Sequence, residues 1–262
     1  MTKLRRAQSW RPRHPAPAFD RARHAPELID RSIGAWTLLH DDERDSIIAA
    51  SLIATDLARL GAPPDVLALA NRVLEDEIRH VEVCRTVIGA LGGAEPCAAE
   101  LERTRSSLGP DDVESRLART LVAGFVVGES LSAAAFARQR AAAEEPLVRW
   151  AFTELLRDEA THGAFGAGAA AWLVASWTAE RRRALWPDCV IEMESMERRV
   201  GGPITDALLA SEAQADWSGA RRFGFVPPSQ LCESLLAAIP RWVLPRLDKL
   251  GVVPPLDAAV VG

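Results

Sequence analysis

Two strings decide how this chain folds: Asp76-Glu77-Ile78-Arg79-His80 and Asp158-Glu159-Ala160-Thr161-His162. Each sets a Glu and a His three residues apart, which puts both on one face of an α-helix and lets them reach a single point in space. One such pair is ordinarily a solvated pair on a helix surface, and Glu75, Glu82 and Glu154 are read that way. Position sets the two strings apart. Glu77 follows Pro64 by thirteen residues and Glu159 follows Pro146 by thirteen, and Pro in the first turn is how many helices open. The same motif therefore stands at the same height in two helices.

Around these strings, a first helix is predicted from Pro26 or Arg31 to Leu60, where Gly61-Ala62-Pro63-Pro64 stops it. A second runs from Pro64 to about Leu91 and ends at Gly92-Gly93, so the two form a hairpin. After a loop from Glu95 to Pro110, Asp111-Asp112 opens a third helix reaching about Ala142, and Pro146 opens a fourth that extends to about Trp177. Two long hairpins joined by one longer connection predict an all-α fold with a four-helix bundle over residues 26–178. Residues 179–262 supply further C-terminal helices packed on the bundle: one from Ala179 to Val200, disturbed at Pro187, and one from Ser229 to Leu250, broken up by Pro240 and Pro245. Residues 1–25 carry Lys3, Arg5, Arg6, Arg11, Arg13, Arg21 and Arg23 among prolines and read as a flexible basic tail.

Composition narrows the function classes. At 262 residues the chain can bury a sizeable core without disulfides. Cys84, Cys97, Cys189 and Cys232 lie too far apart for a Cys-x-x-Cys knuckle and read as free thiols. No run of eighteen apolar residues occurs, so a cytoplasmic protein with no membrane span is expected. The formal charge of −5 gives no support for nucleic-acid binding by the body of the protein. The Arg-rich, Lys-poor usage resembles a high-GC bacterial protein.

The chemistry rests on carboxylates. Glu129 is the only one in the apolar run from Leu121 to Phe136, where a charge is costly unless paired or bound to a metal. It precedes Glu159 by thirty residues, so a turn near Ala143 brings the two level. On the first helix the candidates are Asp41, Asp42, Glu43 and Asp45. Glu43 is preferred, although its arm is about five residues too long, a displacement of about 7 Å. His40, one turn earlier, is either an extra ligand or an exposed histidine near a helix start. Cys84 reads as a buried inert thiol, and Trp36, Trp150 and Trp172 as core. Gly163, Gly166 and Gly168 each cost a helix about 1 kcal/mol, which close packing or room for a substrate would explain.

Two Glu and two Glu-x-x-His pairs projecting inward resemble the ligand set of the ferritin-like di-iron and di-manganese carboxylate proteins. The resemblance covers roughly Arg31 to Trp177, and Gly224 to Leu250 looks like the closing segment of bacterial ferritin-like domain proteins. In those relatives a Glu-His-Ala-Ser-Val string precedes a Leu-Gly-Ala-Pro stop; here Glu43-Arg44-Asp45-Ser46-Ile47 precedes Leu60-Gly61-Ala62-Pro63, with Arg44 a departure. The resemblance implies two Fe ions, or Mn or a mixed Mn/Fe pair, bridged by Glu77 and Glu159. Glu43 and Glu129 are implied as terminal carboxylates, and His80 and His162 as caps. Asp76 and Asp158 are implied as hydrogen-bond partners of the histidines, with Arg79 neutralising that layer.

The function expected from this is an oxygen-activating oxidase or oxygenase. It would use O2, an external electron donor and a small-molecule substrate, for hydroxylation, desaturation or N-oxygenation. Glu77, Glu129 and Glu159 are its catalytic candidates. The absence of tyrosine excludes a stable tyrosyl radical, and the C-terminal helices disfavour an iron-storage cage. The alternatives are a ferroxidase-type or metal-binding protein without organic substrate, and a metal-free helical scaffold. A tRNA-hydroxylating enzyme is kept open by the basic tail.

Overall fold

A computed structural model describes residues 11–96 and 112–255. Lys3, Arg5, Arg6, Cys97 and most of the expected loop up to Pro110 lie outside the described residues. Among the described residues every regular element is helical and none is a strand.

Helix α1 spans Pro26–Arg59 and α2 spans Pro64–Ala90, each with Pro in its first turn. Between them Gly61 takes φ 74°, and the Ala62 amide then donates to the Leu57 carbonyl at 2.9 Å. Only glycine holds that left-handed turn cheaply. Gly92, at φ 82°, ends α2 in the same way, with Gly93 N–H donating to Ile88 O at 2.9 Å. The third rod, α3, covers Val113–Ala142. Its start is capped by Asp112, whose carboxylate accepts from the Ser115 amide at 2.8 Å. Helix α4 spans Pro146–Leu173, stopping short of the expected Trp177. Helices α1 and α2 pack against each other, α3 packs on α4, and α2 faces α4.

Helix α3 departs from regular geometry in a way its sequence does not announce. Its first part, Val113–Arg119, is α-helical, but Thr120–Gly128 winds as π-helix before α-geometry resumes over Glu129–Ala142. Such wide turns are rare and gather at functional sites. By length and composition α3 is apolar enough to cross a membrane, yet 61% of its most apolar window is buried inside the fold. The bundle core accounts for that apolarity.

The expected helix after Ala179 is two pieces, α5 (Ala179–Arg183) and α6 (Trp186–Arg199). Two short helices come next that the sequence did not suggest, α7 (Asp206–Gln214) and α8 (Ser218–Arg222). Helix α9 (Pro228–Ala238) runs through a π-turn at Ile239–Val243, where Pro240 sits, into α10 (Leu244–Lys249). Helix α6 lies on the π-segment of α3, and α9 lies on its C-terminal half.

Buried apolar side chains form two clusters. One gathers Ile53, Leu57, Val73, Leu121, Phe165 and Leu173 with the outer helices; the other gathers Trp36, Val83, Ile88, Phe136, Leu147 and Phe152. Each such side chain contributes about 1.5–3 kcal/mol when fully buried. Along α1, α2 and α4 the two clusters leave a gap, and in it fall Glu43, Glu77 with His80, and Glu159 with His162. A polar layer thus replaces the core at mid-height.

Candidate metal centre

The structure brings all six expected ligand residues together. Glu43, Glu77 and His80 present donor atoms within 4.8 Å of one another, as do Glu77, Glu129 and His162, so Glu77 belongs to both groups. His80 Nδ1 lies 3.2 Å from Glu43 Oε2, 3.6 Å from Glu77 Oε2 and 3.9 Å from Glu159 Oε1. His162 Nδ1 lies 3.2 Å from Glu77 Oε1 and 3.8 Å from Glu129 Oε2. The two imidazoles face each other with ring centres 5.5 Å apart. Glu43 meets His80 rather than drawing level with Glu77, so about one helical turn along α2 absorbs its long arm.

The layer behind the histidines is crossed. His80 turns Nε2 toward Asp158 Oδ2 at 3.5 Å, and His162 turns Nε2 toward Asp76 Oδ2 at 3.6 Å. Each histidine is therefore backed by the aspartate of the other motif. Arg79 ties the two aspartates together, with NH1 donating to Asp76 Oδ1 at 2.6 Å and to Asp158 Oδ2 at 2.8 Å. Backing of this kind fixes which ring nitrogen is offered to a metal.

Burial makes the arrangement costly without a counter-charge. Glu77 and Glu159 are 2% and 3% exposed, and both histidines are at 0%. Burial pushes the Glu77 carboxyl up to about 7, against the pull of His80 and His162. Glu159 is raised well above the usual range by burial and by Glu129 beside it. Although burial opposes it, His162 is lifted to about 10 by Asp76, Glu129 and Glu77. His80 is raised likewise against burial, chiefly by Glu43 and Asp158. In contrast His162 and Arg79 hold Asp76 low against burial, and His80 and Arg13 do the same for Asp158.

Even so, buried polar atoms stay unmatched. Among the described residues these are Asp76 Oδ2, Glu77 Oε1, Glu159 Oε2, His80 Nε2 and both ring nitrogens of His162, with Arg182 Nε the one case elsewhere. Such orphans ordinarily cost about 1–3 kcal/mol each. Glu77 Oε1, Glu159 Oε2 and His162 Nδ1 belong to the carboxylate–imidazole cluster, where a cation would match them, while the two Nε2 atoms and Asp76 Oδ2 belong to the layer behind, with the Nε2 atoms 3.5 and 3.6 Å from the aspartates they face.

Several residues read otherwise in the sequence belong to this region. Glu154 is not a solvated surface group. It is 1% exposed and accepts from the Arg13 amide and from Arg157 NH1, both at 2.7 Å. The described part of the segment read as a flexible tail is seated on the bundle, with Arg13 on Asp158 and Phe19 packed on His24 and Phe223. His40 is 3% exposed and well inside α1, neither at the surface nor near the helix start. Its Nδ1 meets Asp41 at 3.1 Å, and it joins neither ligand group. Trp150 is half-buried and packs against the second core cluster, and its indole N–H donates to the His14 carbonyl at 3.1 Å. Cys84 is buried, and burial followed by the nearby Glu43 raises its thiol, so it is inert.

The glycines after His162 serve packing. A Cβ on Gly163 would stand 2.7 Å from Arg246 NH1, which passes there to donate to Ser130 Oγ at 2.7 Å. On Gly166 it would stand 2.5 Å from Phe125 Cβ, so that glycine lets the π-segment press against α4. Gly168 has no such neighbour. On the opposite side of the polar layer an aromatic pocket of about 190 Å³ is lined by Trp36, Leu39, Phe136, Phe152, Phe223 and Phe225. Trp36, Phe136 and Phe152 lie seven residues from Glu43, Glu129 and Glu159 on their respective helices, two turns along the same faces.

No protein-family model, curated protein or solved structure matches this chain. The geometry of the site therefore carries the functional reading.

Proposed function

We propose that the six residues form a dinuclear metal centre of the ferritin-like carboxylate kind, and that the protein is an oxygen-dependent oxidoreductase acting on a small apolar organic molecule. The observation that carries this is the convergence of four carboxylates and two imidazoles from four helices, with Glu77 Oε1, Glu159 Oε2 and His162 Nδ1 buried there without a hydrogen-bond partner. Four carboxylates balance two divalent cations in charge, and a donor set rich in oxygen with one imidazole per ion suits iron or manganese. Bound in reduced form, such ions supply the electrons and open coordination positions that activate dioxygen. An external electron donor restores the reduced state.

The chain's own groups have defined parts in this reading. Glu77, common to both triads, and Glu159, close to both His80 and Glu129, would be the two carboxylates that serve both ions. Glu43 and Glu129 close the two ends. Asp158 and Asp76 hold the histidines with Nδ1 inward. Glu129 has a side chain 17% exposed, so it is the least shielded of the six. A carboxylate there can move or exchange a proton without opening the core. The aromatic pocket, which Asp42 and Gln139 also line, would accept a ring-sized and largely apolar molecule.

The test is anaerobic reconstitution with ferrous iron followed by oxygen, read by metal content and optical spectrum, beside Glu129→Ala and His162→Ala. About two irons per chain with an oxygen-dependent absorption change, lost in both variants, is expected from a dinuclear site. A parent protein that takes up no metal leaves only a helical scaffold. The exposure of Glu129, with Glu192 of the outer helix α6 raised by burial near it, favours a second reading as a ferroxidase that admits ions from that side. Oxidation of many ferrous ions per centre, with no protection by ring compounds, would select it.

A further inference from the structure

The segment ahead of α1 reaches further than a tail needs to. Arg13 directs both guanidinium nitrogens at Asp158, NH1 at 3.1 Å from Oδ2 and NH2 at 2.5 Å from Oδ1, and NH2 also stands 4.0 Å from Asp76 Oδ1. Its backbone amide donates to the buried Glu154 at 2.7 Å, one turn before Asp158 on α4. The next residue is held as well: Trp150 Nε1 donates to the His14 carbonyl at 3.1 Å, and His14 Nδ1 lies 2.9 Å from Glu154. Two consecutive residues are thus fixed by main-chain and side-chain bonds to one face of α4. A solvated arm has no such anchorage.

We propose that Arg13 is a positioning residue of the metal centre, holding Asp158 so that His80 presents Nδ1 to the ion it shares with Glu43. This rests on the dinuclear reading above. The two aspartates are unequally supported. Asp76 is held by Arg79 on its own helix, three residues away, at 2.6 Å. Asp158 shares NH1 of Arg79 with Asp76 and relies on the fork from Arg13 for the rest. A bidentate guanidinium fixes the plane of a carboxylate as well as its position, which a single N–H does not. Asp158 in turn faces His80 Nε2 at 3.5 Å. The two ions would have matching ligands, but only the aspartate behind His80 takes hydrogen bonds from Arg13, which stands 4.0 Å from Asp76.

The experiment is an anaerobic titration with cobalt(II), following its visible bands and the bound metal, on the full chain. The parent, Arg13→Ala, Arg13→Lys and Arg85→Ala are compared, each with a thermal melt to establish folding. Arg85 pairs with Glu82 and Glu95 at the surface of α2, so it controls for the loss of a surface cation. Arg13→Ala is expected to weaken one of two cobalt ions by about 10–100-fold, the usual effect of removing support behind a ligand, and to leave the other within about threefold. Arg13→Lys recovers part of the loss, because an ammonium cannot fork. In a His80→Ala background Arg13→Ala has no further effect on the remaining ion, whereas in a His162→Ala background it does. Unchanged affinity for both ions in Arg13→Ala, or an equal loss at both, overturns the positioning role while leaving the metal centre standing. A parent that binds no cobalt removes the centre, and the role with it.

Discussion

The two long hairpins carry the same string and treat it differently. In the first, α1 and α2 are regular α-helices throughout, and Glu43 is 6% exposed. In the second, nine residues of π-helix lead directly into Glu129, whose side chain is 17% exposed, and glycines flank the path of Phe125 and Arg246. A π-turn rotates and offsets the later residues of its helix relative to regular α-geometry, so Glu129 is placed by a distortion where Glu43 is placed by regular winding. The candidate ligands are thus matched between the hairpins while their exposure is not. The second hairpin, covered by α6 and α9, is the side on which the centre is open to adjustment.

The largest effect that probes this contrast is the loss of the shared carboxylate. Glu77→Ala is expected to abolish binding of both ions, while Glu43→Ala and Glu129→Ala each leave one, measured as metal per chain after dialysis. If Glu77→Ala keeps one ion, the shared role is wrong. In the metal-free state Glu77→Gln, a neutral isostere, should raise the melting point above about pH 7, because burial disfavours the ionised carboxylate that the parent then carries. The metal-induced rise in melting temperature disappears in the same variant.

A second, smaller effect concerns protons. Glu77 at about 7 and His162 at about 10 bind protons more tightly in the folded than in the unfolded chain. Their contribution to metal-free stability is complete below their ordinary values and fades as pH rises through the folded ones. Between about pH 5 and about pH 10 the metal-free protein should therefore lose stability as pH rises. Metal ions displace the same protons, so the stabilisation by manganese(II) should grow over that window. Melts with and without manganese from about pH 6 to about pH 9 decide this, with calorimetry in buffers of different ionisation heat counting protons released. A metal-induced shift that does not change with pH would mean that Glu77 and His162 are not the groups displaced.

What the sequence discloses of the fold and the site depends on the range of each interaction. Gly61, Gly92, Pro64 and Pro146 act within a few residues, and the end of α1 and both ends of α2 are legible to within a residue, whereas the start of α1 stays open between Pro26 and Arg31. The Glu-x-x-His spacing is local too, and it located four of the six clustered residues, with Glu129 betrayed by its apolar surroundings. The π-segment was hidden because Leu121 to Gly128 is apolar on every side and offers no phase to read. Arg13 and Glu154 stand 141 residues apart, and nothing local distinguishes a carboxylate that will be buried under a returning stretch of chain from one left in water. Helix α7 escaped for a different reason, having no buried residue to impose a period.

The smallest effects test whether the glycines of α4 belong to the distortion of the second hairpin. Gly166→Ala drives a methyl to 2.5 Å from Phe125 Cβ and 3.2 Å from the Leu121 carbonyl, both fixed by the π-segment. Overpacking against backbone should cost about 1–3 kcal/mol in chemical denaturation. Gly163→Ala meets only the end of Arg246, a flexible side chain that can withdraw, so it should change stability by less than about 1 kcal/mol. Gly168→Ala meets nothing within 4 Å and should stabilise by up to about 1 kcal/mol, the helix propensity of alanine over glycine. The order of the three is the informative result. If Gly166→Ala were as mild as Gly168→Ala, the π-segment would not be pressed on α4, and the placement of Glu129 would owe nothing to it.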